Sequence, residues 1–233
     1  MTVYVDGGWL SYHIHTEPEH IFEPWKLIEQ MCDKGYIICI DSDQSIRKDK
    51  YDWYKTNRNN LFTQEAIELR VEIKAWRREA VKKYGDCIRA IPGLEADDLM
   101  AMYASPNDTI LSPDKDMLQL VGVKLIDING EEWANKRLAK MGKQGITQGE
   151  RFMAYQLCVG DGTDTIARLL FTKDRTTIPS IMTQEHPLKT VLEMVNIDKA
   201  RAHLDCLLTP TPLYTGVDPI LYCERYYGFR IFE

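Results

Sequence analysis

Short apolar runs alternate with amphipathic stretches through the first 130 residues of the chain. The runs Thr2–Val5, Tyr36–Ile40, Cys87–Ile91, Thr109–Ser112 and Lys124–Ile128 read as strands, and Trp25–Cys32, Gln64–Tyr84, Leu94–Ala104 and Met117–Val121 read as helices or helical turns. That alternation predicts βαβ units, hence an α/β fold with a mostly parallel central sheet flanked by helices. Thr147 and Glu150 have the spacing of a capping box, which would start a helix running through Val159. The glycines from Gly142 to Gly149 mark a connection before it. Residues 1–170 are expected to form one core domain and 171–233 a small helical extension, with a proline-rich connection around Pro210 and Pro212.

Composition narrows this picture by exclusion. With 44% hydrophobic and 10% aromatic residues the chain can bury a core, so wholesale disorder is not expected. No apolar run approaches the roughly 20 residues that span a bilayer, and Met1–Leu10 lacks the basic and apolar regions of a signal peptide. A cytoplasmic protein without membrane partners is expected. The six cysteines, Cys32, Cys39, Cys87, Cys158, Cys206 and Cys223, form no C-x-x-C pair and are read as reduced packing residues.

Charge changes the picture more. The net charge of −6 argues at first against a nucleic-acid partner, but residues 47–89 hold 12 Lys and Arg against 7 Asp and Glu, a local +5 that leaves −11 for the rest. A basic segment thus faces an acidic remainder. The acids are not scattered: Asp6 follows the first strand, Asp41 the second, Glu95, Asp97 and Asp98 the third, and Asp114 and Asp116 the fourth. Asp161 and Asp164 lie in the turn GDGTD. Carboxyl ends of strands in open α/β sheets are where ligands bind, so carboxylates distant in sequence are expected to converge there. Nine of them would repel one another unless cations lay between. Mg²⁺ prefers oxygen ligands, and two ions roughly 4 Å apart can stabilise both the attacking and the leaving oxygen in phosphodiester cleavage. Each acid also has a plainer reading: Glu95, Asp97, Asp98, Asp114 and Asp116 as helix N-terminal residues, Asp161 and Asp164 as turn formers. Their repetition at one sheet edge favours the metal reading.

The motifs VYVDGGWL, CIDSDQSIRKDKYDWYKTNR, GLEADDL, ILSPDKDMLQL and VGDGTD, in this order, resemble the flap endonucleases and 5′ to 3′ exonucleases, above all the bacteriophage enzymes and the nuclease domain of bacterial DNA polymerase I. The resemblance runs from Met1 to about Thr165. It implies a PIN-like 5′ nuclease fold with a helical arch, at about 59–86, and hydrolysis of DNA that leaves a 5′ phosphate and a 3′ hydroxyl. By it, the nine carboxylates are metal ligands for two Mg²⁺ ions, with Mn²⁺ able to substitute. One ion falls to the first group of acids, and the other to Asp114, Asp116 and the GDGTD pair. Lys55 matches the lysine that contacts the scissile phosphate, Arg58 supports it, and Tyr54 becomes a stacking platform for a terminal base. Arg47 and Lys48 are weaker candidates for backbone contacts. Arg70, Lys74, Arg77, Arg78, Lys82 and Lys83 line the arch helix, which admits a single-stranded 5′ end. The plainer readings are a solvated Lys and Arg beside a core Tyr, and an ordinary amphipathic helix paired through Glu68, Glu72 and Glu79.

One departure bears on substrate choice. The family commonly continues after GDGTD with an Asn and a glycine-rich hairpin that grips duplex DNA and holds K⁺; here Thr165 takes the Asn position and IARLLFTKDRTTIPSIM has no glycine. The K⁺ site is therefore not carried over, and duplex binding is expected to be rearranged, with 171–233 as a divergent duplex-binding region. His13, His15 and His20 are not fixed on one face and are not taken as a metal site. Met100 and Met102 are read as packing residues, and no Walker phosphate loop is present. The leading expectation is a monomeric exonuclease and flap endonuclease acting on DNA with a free 5′ end, flap or nick, and on RNA primers in RNA:DNA hybrid, alongside replication proteins. The competitors are a related ribonuclease and a non-catalytic DNA-junction binding protein.

Overall fold

The computed structural model describes residues 1–20, 23–57, 63–140, 146–170 and 177–231. Five parallel strands form the sheet: β1 (Val3–Asp6), β2 (Ile37–Cys39), β3 (Ile88–Arg89), β4 (Thr109–Leu111) and β5 (Lys124–Ile126), in the order β3-β2-β1-β4-β5. Register is fixed by pairs such as Val5 with Ile38 and Val5 with Leu111. The chain leaves β1 towards β2 and β3 and then returns to the other side of β1 with β4, so the order reverses between β1 and β4. Ligand crevices open at such a reversal, outside the carboxyl ends of the strands.

The chain divides into two compact units that interleave in sequence: the first is 1–46, 59–114 and 122–132, the second 47–58, 115–121 and 133–233. The first holds the sheet with helices α1 (Gly7–Thr16), α2 (Lys26–Asp33), α4 (Gln64–Lys83) and α5 (Ala96–Tyr103). Its core gathers Val5, Leu10, Ile14, Ile28, Ile38, Ile40, Trp76, Ala80 and Leu111. Trp25 stacks on Trp76 with ring centroids 5.2 Å apart, fastening α4 to the segment that leads into α2. Helix α3 (Ile46–Lys50) begins at the end of that first segment and runs into the second unit.

The second unit is helical. A 3-10 turn (Lys115–Gln119), α6 (Ala134–Lys140), α7 (Glu150–Val159), α8 (Thr177–Met182), α9 (Pro187–Met194), α10 (Ile197–Leu207), α11 (Pro212–Thr215) and α12 (Pro219–Tyr227) follow in chain order. Helix α7 is its centre, burying Phe152, Met153, Ala154, Leu157 and Cys158.

All five expected strands form: β1 has the expected four residues shifted by one, and β2 to β5 are each shorter than the apolar run that predicted them. Helix α1 was not among the expected elements. Asp6 starts it by accepting from the Trp9 amide at 2.9 Å. The capping box expected at Thr147–Glu150 is not made. Gly149 is the N-cap of α7 and offers no side chain, and Glu150 instead accepts from the Leu188 amide at 3.1 Å and pairs with His186 at 3.3 Å. The reciprocal box forms at Glu95 and Asp98, which starts α5. Arg58 and Gly142 lie outside the described residues, as does Phe171 at the expected start of the C-terminal extension.

Candidate metal and phosphate site

Asp6 is the last residue of β1 and therefore stands at the reversal point of the sheet. It is 8% exposed, accepts from the Ser112 hydroxyl at 2.7 Å just beyond β4, and caps α1. Burial pushes its carboxyl above the usual range, opposed by the bonds from Ser112 and Trp9 and reinforced by the nearby charge of Asp41. Asp41, two residues past β2, is held by the Ala96 amide at 2.8 Å. Gly8 is the reason these two carboxylates can approach. A Cβ there would lie 3.0 Å from Asp6 Oδ1 and 3.0 Å from Asp41 Oδ2, so only glycine leaves the space between them open.

The long helix α4 enters this arrangement through a single side chain. Arg77 Nη1 donates to Asp41 Oδ2 at 2.8 Å, Nε to the Ser11 hydroxyl at 2.8 Å, and Nη2 to the Gly8 carbonyl at 3.1 Å. Its position follows from helix geometry: Ile73, Trp76 and Ala80 form the buried stripe of α4, and Arg77 lies one turn after Ile73. Expected as one of the nucleic-acid-binding cations of the arch helix, Arg77 is instead engaged by Asp41, Ser11 and Gly8. Arg78 pairs with Asp43 at 2.7 Å, and Lys83 with Glu29 at 3.5 Å, while Lys74 and Lys82 are exposed and Arg70 is half-buried.

The other acids of the first unit serve two ends at once. Asp98 is fully buried and accepts from the Glu95 amide at 3.1 Å, and Asp97 accepts from the Asp98 amide at 2.8 Å. The plainer capping reading is therefore real for this motif. Asp114 is exposed, with its amide bonded to Ser112 Oγ at 3.1 Å.

The second unit carries its own acidic cluster, and a lysine is its hub. Lys115 Nζ lies 3.2 Å from Asp116 Oδ1 and also bonds Asp161. Burial alone would raise the Asp161 carboxyl, but the hydrogen bond and charge of Lys115 outweigh it and hold the carboxyl below its ordinary range. Gln156 of α7 donates to Asp116 at 2.5 Å. Lys115 sits directly between Asp114 and Asp116 in the sequence, and nothing there marked it as the counter-charge of Asp161, 46 residues away. Gly160 ends α7 at φ +73 and lets the GDGTD turn double back, with Asp161 and Ile166 exchanging both backbone bonds.

Lys55 stands beside this turn: Nζ is 3.7 Å from Asp164 Oδ2 and 4.8 Å from the centroid of the Tyr54 ring. Tyr54 is 3% exposed and donates its hydroxyl to Asp164 at 3.2 Å. A ring so enclosed cannot take a stacking base, which corrects that expectation; it supports Lys55 from one face instead. Arg47 is likewise not a surface contact. It is 1% exposed and donates to the Leu208 carbonyl at 2.9 Å, while Lys50 and Tyr51 converge on Asp205 at 3.0 and 2.7 Å. The C-terminal segment, read from sequence as a helical extension, thus anchors the chain leading to Lys55. Lys48 is exposed.

Among the described residues, no group of three or more His, Cys, Asp or Glu side chains is gathered closely enough to hold a metal ion as placed. Cationic side chains meet several of the acids instead: Arg77 bonds Asp41, near Asp6, and Lys115 bonds both Asp116 and Asp161. The donor chemistry suits a hard cation, since every one of these groups offers carboxylate oxygen. Also among the described residues, no helix is long and apolar enough to cross a membrane.

Residues 21–148, more than half of the chain, match the family model described as the 5′-3′ exonuclease, N-terminal resolvase-like domain. Among curated proteins, the DNA polymerase I of Rhizobium leguminosarum is 27% identical over 203 residues, covering 77% of this chain and 19% of that protein. The 5′-3′ exonuclease of Aquifex aeolicus is 29% identical over 152 residues, covering 61% of this chain and 50% of its own length. The chain thus spans at most about half of either relative. Among solved structures, a zinc-bound bacteriophage T5 5′-exonuclease matches with a TM-score of 0.66 at 16% identity, over 97% of both chains. A bacteriophage T5 D15 flap endonuclease described as a pseudo-enzyme-product complex with DNA and metal ions matches at 0.61 and 16% identity, over 97% of this chain and 96% of that one. The structural likeness establishes a shared fold, and the sequence match across more than half of the residues establishes descent: the chain belongs to the family of 5′-3′ exonuclease N-terminal, resolvase-like domains.

Proposed function

We propose that this chain is a divalent-metal-dependent 5′ nuclease that hydrolyses DNA phosphodiesters at a free 5′ end, flap or nick, leaving a 5′ phosphate and a 3′ hydroxyl. The observation that carries this reading is the pair Asp6 and Asp41. Two carboxylates, one of them buried, flank a glycine at the reversal point of a parallel sheet, an arrangement that is costly as a structural device and serviceable as a cation site. Asp6 and Asp41, with Glu95, Asp97 and Asp98, are the ligands proposed in the first unit, and Asp116, Asp161 and Asp164 those in the second; Asp114 is the ninth. Bound Mg²⁺ ions, with Mn²⁺ as a substitute, would supply charge stabilisation for the attacking and leaving oxygens. Lys55 is proposed to place its ammonium on the scissile phosphate, with Arg58 beside it in sequence as its support. The exposed Lys74 and Lys82, with Arg70, remain the proposed backbone contacts on α4, and Lys48 a further one. RNA primers in RNA:DNA hybrid, replication proteins as partners, a monomeric state and a cytoplasmic setting belong to the same proposal.

The test is one Mg²⁺ assay comparing a 5′-labelled flap, a blunt duplex, a nicked duplex and an RNA:DNA hybrid. EDTA-sensitive release of labelled 5′ products from DNA supports the reading. Cleavage confined to the RNA strand would move it to a ribonuclease, and binding without cleavage of any substrate would leave a junction-binding protein.

Gly8→Ala probes the metal pair without touching a charge. Alanine is favoured over glycine in a helix by about 1 kcal/mol, so the fold should not suffer. The added methyl, however, intrudes between Asp6 and Asp41 at 3.0 Å from each. Mn²⁺ binding measured by calorimetry is expected to weaken about tenfold, equivalent to about 1.4 kcal/mol, with unchanged melting in EDTA. Equal affinity in both proteins would show that no cation enters there.

A further inference from the structure

Among the described non-glycine residues, three have left-handed backbone: Lys55 at φ +57, Asn107 at φ +77 and Thr165 at φ +64. Lys55 and Thr165 lie on two segments of the second unit that are bonded to each other. For a β-branched residue such as Thr165 this conformation is a genuine outlier, and it persists only where the surroundings over-determine it. The surroundings here are a set of bonds joining 55–57 to 162–165. The Lys55 amide donates to the Asp164 carbonyl at 3.0 Å. The Thr165 hydroxyl donates to Asn57 Oδ1 at 2.9 Å and accepts from the Asn57 amide at 3.4 Å. Asn57 Nδ2 donates to the Gly162 carbonyl.

From this geometry we infer that Asn57 and Thr165 are positioning residues for Lys55, a role that rests on the nuclease reading above. Both ends of the Asn57 side-chain amide are used, one on Thr165 and one on the Gly162 carbonyl, so the backbone on either side of Lys55 is tied to the GDGTD turn. A lysine side chain has four rotatable bonds, and fixing its root is what a fold can do to aim it. With the root fixed, Nζ is delivered to 3.7 Å from Asp164 and packed over the Tyr54 ring. Removing the Thr165 hydroxyl takes away two of the three bonds that hold Asn57 to the turn, loosens the backbone on either side of Lys55, and displaces the ammonium. Neither Asn57 nor Thr165 need touch the nucleic acid.

The experiment uses the full chain on a 5′ flap with Mg²⁺, separating kcat from KM. Thr165→Val keeps the shape and removes the hydroxyl, and is expected to lower kcat between tenfold and a hundredfold with KM within twofold; Thr165→Ser, which keeps the hydroxyl, should stay near wild type. In the background Lys55→Ala, adding Thr165→Val should cost nothing further, because the residue acts through the lysine. Wild-type kcat in Thr165→Val, or multiplicative losses in the double variant, would overturn the inference. Asn57→Ala makes the same test should Thr165→Val fail to fold. A wild-type chain that does not cleave would instead defeat the nuclease reading itself, and this inference with it.

Discussion

Asp6→Asn is expected to reduce Mg²⁺-dependent cleavage by roughly a thousandfold, equivalent to about 4 kcal/mol of lost transition-state stabilisation, in a chain that remains folded. The substitution is isosteric: the amide oxygen can still accept from the Trp9 amide and cap α1, while the amide nitrogen takes the place of Oδ2 and donates to the Ser112 oxygen, whose hydroxyl rotates away. What it removes is a charge. Because burial raises the folded-state pKa of Asp6, stability is lost as the pH rises from the ordinary carboxylate value through the raised one, and the whole cost is present above it. An amide carries no such cost, so melting in EDTA should be unchanged or slightly higher. The combination is diagnostic: a variant that is as stable as the parent without metal, yet inactive with it, has lost a ligand and not a fold. Retained turnover in Asp6→Asn would remove the carboxylate from the chemistry.

Lys55→Ala is the second large effect, of a different kind. The ammonium is 13% exposed at the side-chain level and lies beside Asp164. If it acts on the phosphate as charge develops, its loss lowers kcat by about a hundredfold with little change in KM, the range found when one stabilising donor is removed. If it merely attracts the backbone, KM should rise and kcat hold. Single-turnover rates at saturating and limiting flap concentrations distinguish the two, and equal losses in both would mark a positioning charge.

The parts that these variants address differ in how visible they were from sequence. Strand placement was legible because each strand is a continuous apolar run, and the acids that follow the strands were legible because their carboxyl ends face one edge by topology alone. The partners of those acids were not. Arg77 reads as one of six cations on a helix, and its turn towards Asp41, 36 residues away, depends on which stripe of α4 is buried. Tyr54 and Arg47 look like surface contacts in a basic segment; their enclosure is set by Asp164 and by the Leu208 carbonyl, 110 and 161 residues further on. The clamp between Asn57 and Thr165 spans 108 residues and needs two left-handed residues, which no local pattern announces. The capping box shows the converse error: Thr147 and Glu150 have the spacing, but Gly149 takes the cap and Glu150 is drawn to α9.

Anomalous diffraction from crystals soaked in Mn²⁺ addresses the metal site itself. The expected result is a peak within about 2.5 Å of carboxylate oxygens of both Asp6 and Asp41, on the open side of Gly8, where hard cations reach their ligands. A fully soaked crystal with Arg77 still bound to Asp41 and no peak against Asp6 would contradict the account.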